Sequence, residues 1–107
     1  MNIIWTNAAR DDLLEIRAYL KRYQSPAFLK KVTEQIRDEA GSLKDWPSKG
    51  TYVPELEELQ LNQYRELLAG QHRIIFERAS EAFYIHIVCH TSRDLEALLR
   101  RRLLADA

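Results

Sequence analysis

Hydrophobic residues change their spacing partway along this chain, and that change limits the folds open to it. Between Ala9 and Leu43 they recur every three or four positions; from Gln63 to His90 they tend to alternate. The first spacing lines one side of a helix, the second one side of a strand. Helices followed by consecutive strands imply an α+β fold.

The individual elements follow from local signals. Ile3 to Thr6 is β-branched and aromatic and is expected to form a short strand. Thr6 or Asn7 can cap the helix that follows, with Asp11 and Asp12 near the favourable end of its dipole. Ala9, Leu13, Ile16, Leu20 and Tyr23 form its apolar stripe. Ser25-Pro26 starts a second helix with the stripe Leu29, Val32, Ile36, Ala40 and Leu43. The short link between them implies an antiparallel helical hairpin. Asp45 to Asn62 is broken by Trp46-Pro47, Lys49-Gly50 and Val53-Pro54 and is expected to cross the sheet surface, with a helical turn in Glu55 to Gln60.

Three strands come next: Gln63 to Ala69, His72 to Arg78 and Phe83 to His90. Their short connections imply an antiparallel meander. Strict alternation in the last puts Phe83, Ile85, Ile87 and Cys89 on a face packed by helices. Tyr84, His86, Val88 and His90 would then lie on a half-open face. Thr91 and Asp94 have capping-box spacing before a last helix carrying Leu95, Leu98, Leu99 and Leu103. The expected architecture is an N-terminal strand and a helical hairpin packed on an antiparallel sheet, in the order β-α-α-β-β-β-α, as one domain spanning 1–107.

Charge and cysteine content narrow the function. Lys and Arg number 16, and so do Asp and Glu. A whole-surface basic field for nucleic acid or an anionic membrane is excluded; a local basic patch is not. After Lys49 every cation is an Arg, the residue suited to bidentate contact with carboxylate or phosphate. Cys89 stands alone in an apolar run and reads as a core residue, with no disulfide and no thiolate zinc site. The N-terminus has neither a cationic start nor an apolar stretch of signal-peptide length, so a cytoplasmic protein that contacts no membrane is expected.

Metal binding finds no support, because His86 and His90 would lie about 13 Å apart along a strand. No cofactor motif is present, since the glycines are scattered. What remains is a basic group: Arg65, Arg73, His90 and Arg93, from neighbouring strands and the loop after them. Converging on one face, the arginines could bind phosphate while His90 moved a proton, the parts of a metal-free ribonuclease. Alternatively Arg65 and Arg73 pair with Glu66, Glu77 or other carboxylates across the sheet.

Three segments together, IIWTNAARDDLLEI, YRELLAGQHRIIFE and YIHIVCHTSRDLEALL, resemble the RelE/ParE toxins of type II toxin–antitoxin systems over nearly the whole chain. The resemblance implies that family's fold, a toxin function and a cognate antitoxin (ParD-like or similar) bound in a hetero-oligomer. Its nuclease branch cuts messenger RNA on the ribosome; its ParE branch inhibits DNA gyrase, and some members stabilise plasmids. Matched by position, Arg73 falls on the catalytic strand Arg of the nucleases, Arg93 on the basic residue after their last strand, and Arg65 where a Lys is common. Leu67 stands where a second Lys occurs, and Leu99 near a C-terminal Tyr, so the acid–base set is incomplete and only His90 could replace it. The ParE-like reading is therefore favoured: growth inhibition through gyrase, with Arg65, Arg73, Arg93, Arg100 and Arg101 as target contacts. The alternatives are a ribosome-dependent endoribonuclease using Arg73, His90, Arg93 and Arg65, and a non-toxic remnant that only binds antitoxin.

Overall fold

The computed structural model describes the backbone of residues 1–104 and the side chains of residues 1–102. Strand β1 (Asn2–Trp5) leads into α1 (Asn7–Tyr23) and α2 (Pro26–Gly41). After a 3₁₀ turn come β2 (Thr51–Tyr52), α3 (Pro54–Glu57), β3 (Tyr64–Ala69), β4 (His72–Ala79) and β5 (Ala82–His90). The last helix, α4 (Leu95–Leu99), runs into a π-helical turn over Arg100–Leu104. The expected Leu103 contact lies outside the described side chains. No described helix is long and apolar enough to cross a membrane.

The five strands are ordered β1-β5-β4-β3-β2. The β3-β4-β5 meander is antiparallel as expected, but β1 pairs parallel with β5, setting Asn2 against Ala82 and Trp5 against Ile85. Thr6 joins this strand end to the helix. Its hydroxyl donates to the Ile85 carbonyl at 2.8 Å and accepts from the Ala9 amide at 3.2 Å. Ser25 caps α2 through the Phe28 amide, with Pro26 in the first turn. At α4 the cap is Asp94, which accepts from Ala97, rather than Thr91. The Thr91 backbone amide instead donates to the Gln71 carbonyl in the β3–β4 turn.

Two apolar clusters lie on opposite faces of the sheet. On the hairpin face, Leu67, Ile74, Phe76, Phe83, Ile85 and Val88 meet the α1 and α2 stripes. On the other, Ile75, Ile87 and Cys89 meet Val53, Leu56, Leu95, Leu98 and Leu99. The expected half-open face is thus covered, by the segment after β2 and by α4.

Strict alternation in β5 also fails. Ile75 faces Ile87 while Phe76 faces Ile85, which leaves His86 as an extra, bulged residue. Beyond it the sides exchange. Phe83, Ile85 and Val88 share the hairpin side, and Ile87 and Cys89 turn to the α4 side. The bulge directs the His86 ring toward Glu77, 3.0 Å away, and edge-on to Tyr64.

Gly50 sits at φ +107°, where a β-carbon would come within 2.9 Å of the Phe76 ring and 3.2 Å of the Glu66 carbonyl oxygen. Gly50→Ala is expected to lower stability by about 2 kcal/mol through backbone strain and overpacking. Urea unfolding that leaves the midpoint unmoved would contradict this account of the turn.

Candidate functional site

Register decides where the arginines go. Arg65 pairs with Phe76 and Arg73 with Leu68 across the β3–β4 ladder. Positions 65 and 68 are an odd number of residues apart on one strand, so Arg65 and Arg73 project from opposite faces. The expected convergence of Arg65, Arg73 and Arg93 on one exposed face does not occur.

Arg73 projects to the α4 side and is bound by two carboxylates. Its Nη1 and Nη2 donate to the two Glu55 oxygens at 2.9 Å each; its Nε and Nη2 donate to Glu66 Oε2 at 2.8 and 2.6 Å. The side chain is only 13% exposed, against 14% for Glu66 and 27% for Glu55. Glu66 is a diagonal neighbour on the same sheet face, and Glu55 is delivered by α3, which Pro54 helps to start. Hydrogen bonding from Arg73 holds the Glu55 carboxyl below its usual pKa. The same carboxylates raise the Arg73 guanidinium. Two negative charges against one positive leave nothing to attract a phosphate. The cross-sheet pairing with Glu66 is present, and Glu77 pairs with His86 instead.

The other expected residues are dispersed. Arg65 stacks on Tyr52 with its guanidinium carbon 4.6 Å from the ring centroid, near the β2 edge. Arg100 is exposed and pairs with Glu96 one turn back; Arg101 is exposed. His90 and Arg93 lie at the far end of β5 and in the loop beyond it, on the hairpin side. His90 Nδ1 accepts from the Ser92 amide at 3.0 Å, with the Ser92 hydroxyl 2.8 Å away. Burial pushes the Cys89 thiol pKa upward, the condition of a core thiol rather than a nucleophile.

The hairpin side carries a cleft of about 740 Å³. Ile16 and Tyr19 of α1 and Phe28 and Val32 of α2 line it, and its sheet end holds His72 and His90. Tyr19 is 60% exposed and Phe28 38%, large apolar area for a molecule this small. His72, only 7% exposed, meets His90 edge-on with ring centroids 5.4 Å apart. In sequence His72 reads only as the start of a strand; its partnership appears once β4 and β5 are in register, where His72 faces His90.

Asp12 is the other residue that sequence misassigned. Its expected place was the helix dipole, yet it is 6% exposed and accepts the Val88 amide at 3.0 Å, just past the end of β1. Arg102 from the C-terminal turn forms an ion pair with both carboxylate oxygens and reaches toward the His86 carbonyl. Together they cap the stretch of the β5 edge that β1 leaves open.

Comparison with known proteins adds four findings. A family described as the ParE toxin of type II toxin–antitoxin system, parDE, matches residues 3–95. The toxin–antitoxin structure "Chromosomal ParDE TA system from P. aeruginosa" superposes with a TM-score of 0.69 at 18% identity, covering 84% of this chain and 95% of that one. The toxin–antitoxin complex RelBE2 from Mycobacterium tuberculosis superposes with a TM-score of 0.54 at 22% identity, covering 83% and 95%. No curated protein sequence matches.

Proposed function

Because this chain belongs to the family of ParE toxins of type II toxin–antitoxin systems, we propose that it arrests growth by binding DNA gyrase and not by cutting messenger RNA. The observation that carries this reading is the state of Arg73. A strand Arg that stabilises a cleaved phosphate must present unpaired cationic donors. This one gives all its bonds to Glu55 and Glu66 beneath α3. Arg65 projects from the opposite face, so the phosphate-binding pair of the nuclease reading is split. Of the arginines expected to touch the target, Arg93, Arg100 and Arg101 keep exposed side chains and remain our candidate contacts; Arg65 stays a candidate at the β2 edge.

The partner in neutralisation is a cognate antitoxin, acting in the cytoplasm within a hetero-oligomer. Its amphipathic segment fills the cleft between α1 and α2, where Ile16, Tyr19, Phe28 and Val32 offer the apolar walls such a segment needs.

Purified protein is expected to block supercoiling of plasmid DNA by gyrase while leaving ribosome-bound messages intact in a translating extract. Message cleavage in that extract, lost in a folded Arg73→Ala chain, would replace this reading with the nuclease one. Unchanged growth on expression without antitoxin would replace it with the non-toxic remnant.

A further inference from the structure

His72 combines burial with the absence, among the described residues, of a hydrogen-bonding partner for its ring. It is 7% exposed, and the influences on its protonation are burial and the charge of His90, with no hydrogen bond contributing. Among the described residues no fully enclosed side-chain nitrogen or oxygen lacks a partner. The unbonded ring nitrogens of His72 therefore reach solvent, and the ring lines the cleft. A polar group in this position gains a hydrogen bond only from what enters the cleft.

Charges around the cleft say what that should be. Facing it are Asp12, Glu15 and Tyr19 from α1, Lys31 from α2, His90 from β5, and Arg93 from the following loop; the Cys89 side chain turns to the other face of the sheet. Asp12 is committed to Arg102. Lys31 and Arg93 form no ion pair among the described residues, and Glu15 is the one acid there without one. Two unpaired cations and two imidazoles against one unpaired carboxylate favour an anionic group. The apolar walls favour an anion carried on a peptide over a free ion.

We propose that His72, His90, Lys31 and Arg93 form a carboxylate-recognising subsite at the sheet end of the cleft, occupied by an aspartate or glutamate side chain of the segment that fills it. The subsite rests on the reading that an antitoxin segment lies in this cleft. Burial and the neighbouring His90 hold the His72 pKa below its ordinary value, so the ring is neutral at neutral pH. An arriving carboxylate favours the imidazolium form. Binding then takes up a proton and tightens as pH falls below neutral, until the ring is already charged without the ligand.

The probe is N-acetyl-glutamate N-methylamide, with the glutamine analogue as the uncharged control. Ring proton resonances of His72 and His90 are followed through a pH titration of the whole chain by NMR. The glutamate probe is expected to shift both rings saturably and to move the His72 titration midpoint upward. His72→Gln should abolish saturable binding while leaving the remaining spectrum folded, and Lys31→Ala or Arg93→Ala should weaken it severalfold. Equal shifts from both probes, or none from either, overturn the subsite. Phe28→Glu, on the exposed cleft wall, tests the underlying reading separately. If its growth arrest is still relieved by the antitoxin that relieves arrest by the unaltered chain, the antitoxin sits elsewhere, whatever the titration shows.

Discussion

Replacing Arg73 by Met is expected to destabilise the fold by about 2–3 kcal/mol, a structural loss where a catalytic residue would give a loss of rate alone. Removing one member of a largely buried ion cluster strands its partners, which typically costs about 3–5 kcal/mol. Glu55 at 27% exposure recovers some hydration, which brings the figure down. Arg73→Met combined with Glu55→Gln and Glu66→Gln should regain much of the loss, because no buried charge is then left alone. Urea midpoints measure both.

The pH dependence separates the accounts further. In the unaltered chain the folded Glu55 pKa is depressed by Arg73. Its contribution is complete above the unfolded carboxylate pKa and is lost as pH falls through the lower, folded value. In Arg73→Met the chief lowering influence on Glu55 is gone while burial still raises its pKa, so acidification makes the variant less unstable relative to the parent. An Arg73→Met chain as stable as the parent at neutral pH, with the same acid slope, would free Arg73 for the nuclease role.

Asp12→Ala is expected to cost about 3 kcal/mol. The substitution leaves the Val88 amide without an acceptor on an otherwise covered sheet edge, and Arg102 without its counter-ion. Asp12→Asn keeps an oxygen for the amide and should cost roughly half as much, since Arg102 at 25% exposure can turn to water. Hydrogen exchange distinguishes the two parts. The Val88 amide should exchange at least tenfold faster in Asp12→Ala and close to the parental rate, relative to global stability, in Asp12→Asn. Equal acceleration in both would mean that the ion pair, and not the amide cap, holds this edge.

Much of the molecule was legible in the chain. The α1 and α2 stripes (except Tyr23, which is exposed), the Thr6 and Ser25 caps and the three meander strands follow from spacing and local chemistry, because helices and tight turns are built from near neighbours. Cys89 was legible as a core residue for a similar reason: an apolar strand has few other places for a lone thiol. The two-residue β2 was missed because so short a strand has no period of its own. The covered second face was missed because Val53, Leu56 and Leu99 gain their meaning only by meeting Ile75 and Ile87.

The candidate site was less legible, and the reason is parity. Arg65 and Arg73 look like members of one group in the sequence, yet an odd offset in the ladder sends them to opposite faces. The His86 bulge adds one residue to β5 and exchanges the sides of every residue after it. His72 and His90 meet because of that same pairing, across a stretch of chain in which neither announces the other.

By itself, then, the amino-acid order determined which of the longer segments become helix or strand, where the two long helices start, and the family resemblance carried by YRELL, HRIIFE and the His90–Asp94 turn. Tertiary structure alone decided that Arg73 is neutralised, that Asp12 and Arg102 cap the β5 edge, and that His72 opens onto a cleft. Those outcomes depend on register and on partners up to 90 residues away. Local periodicity sets the alternation of a strand but not the neighbour or the offset against which it is read.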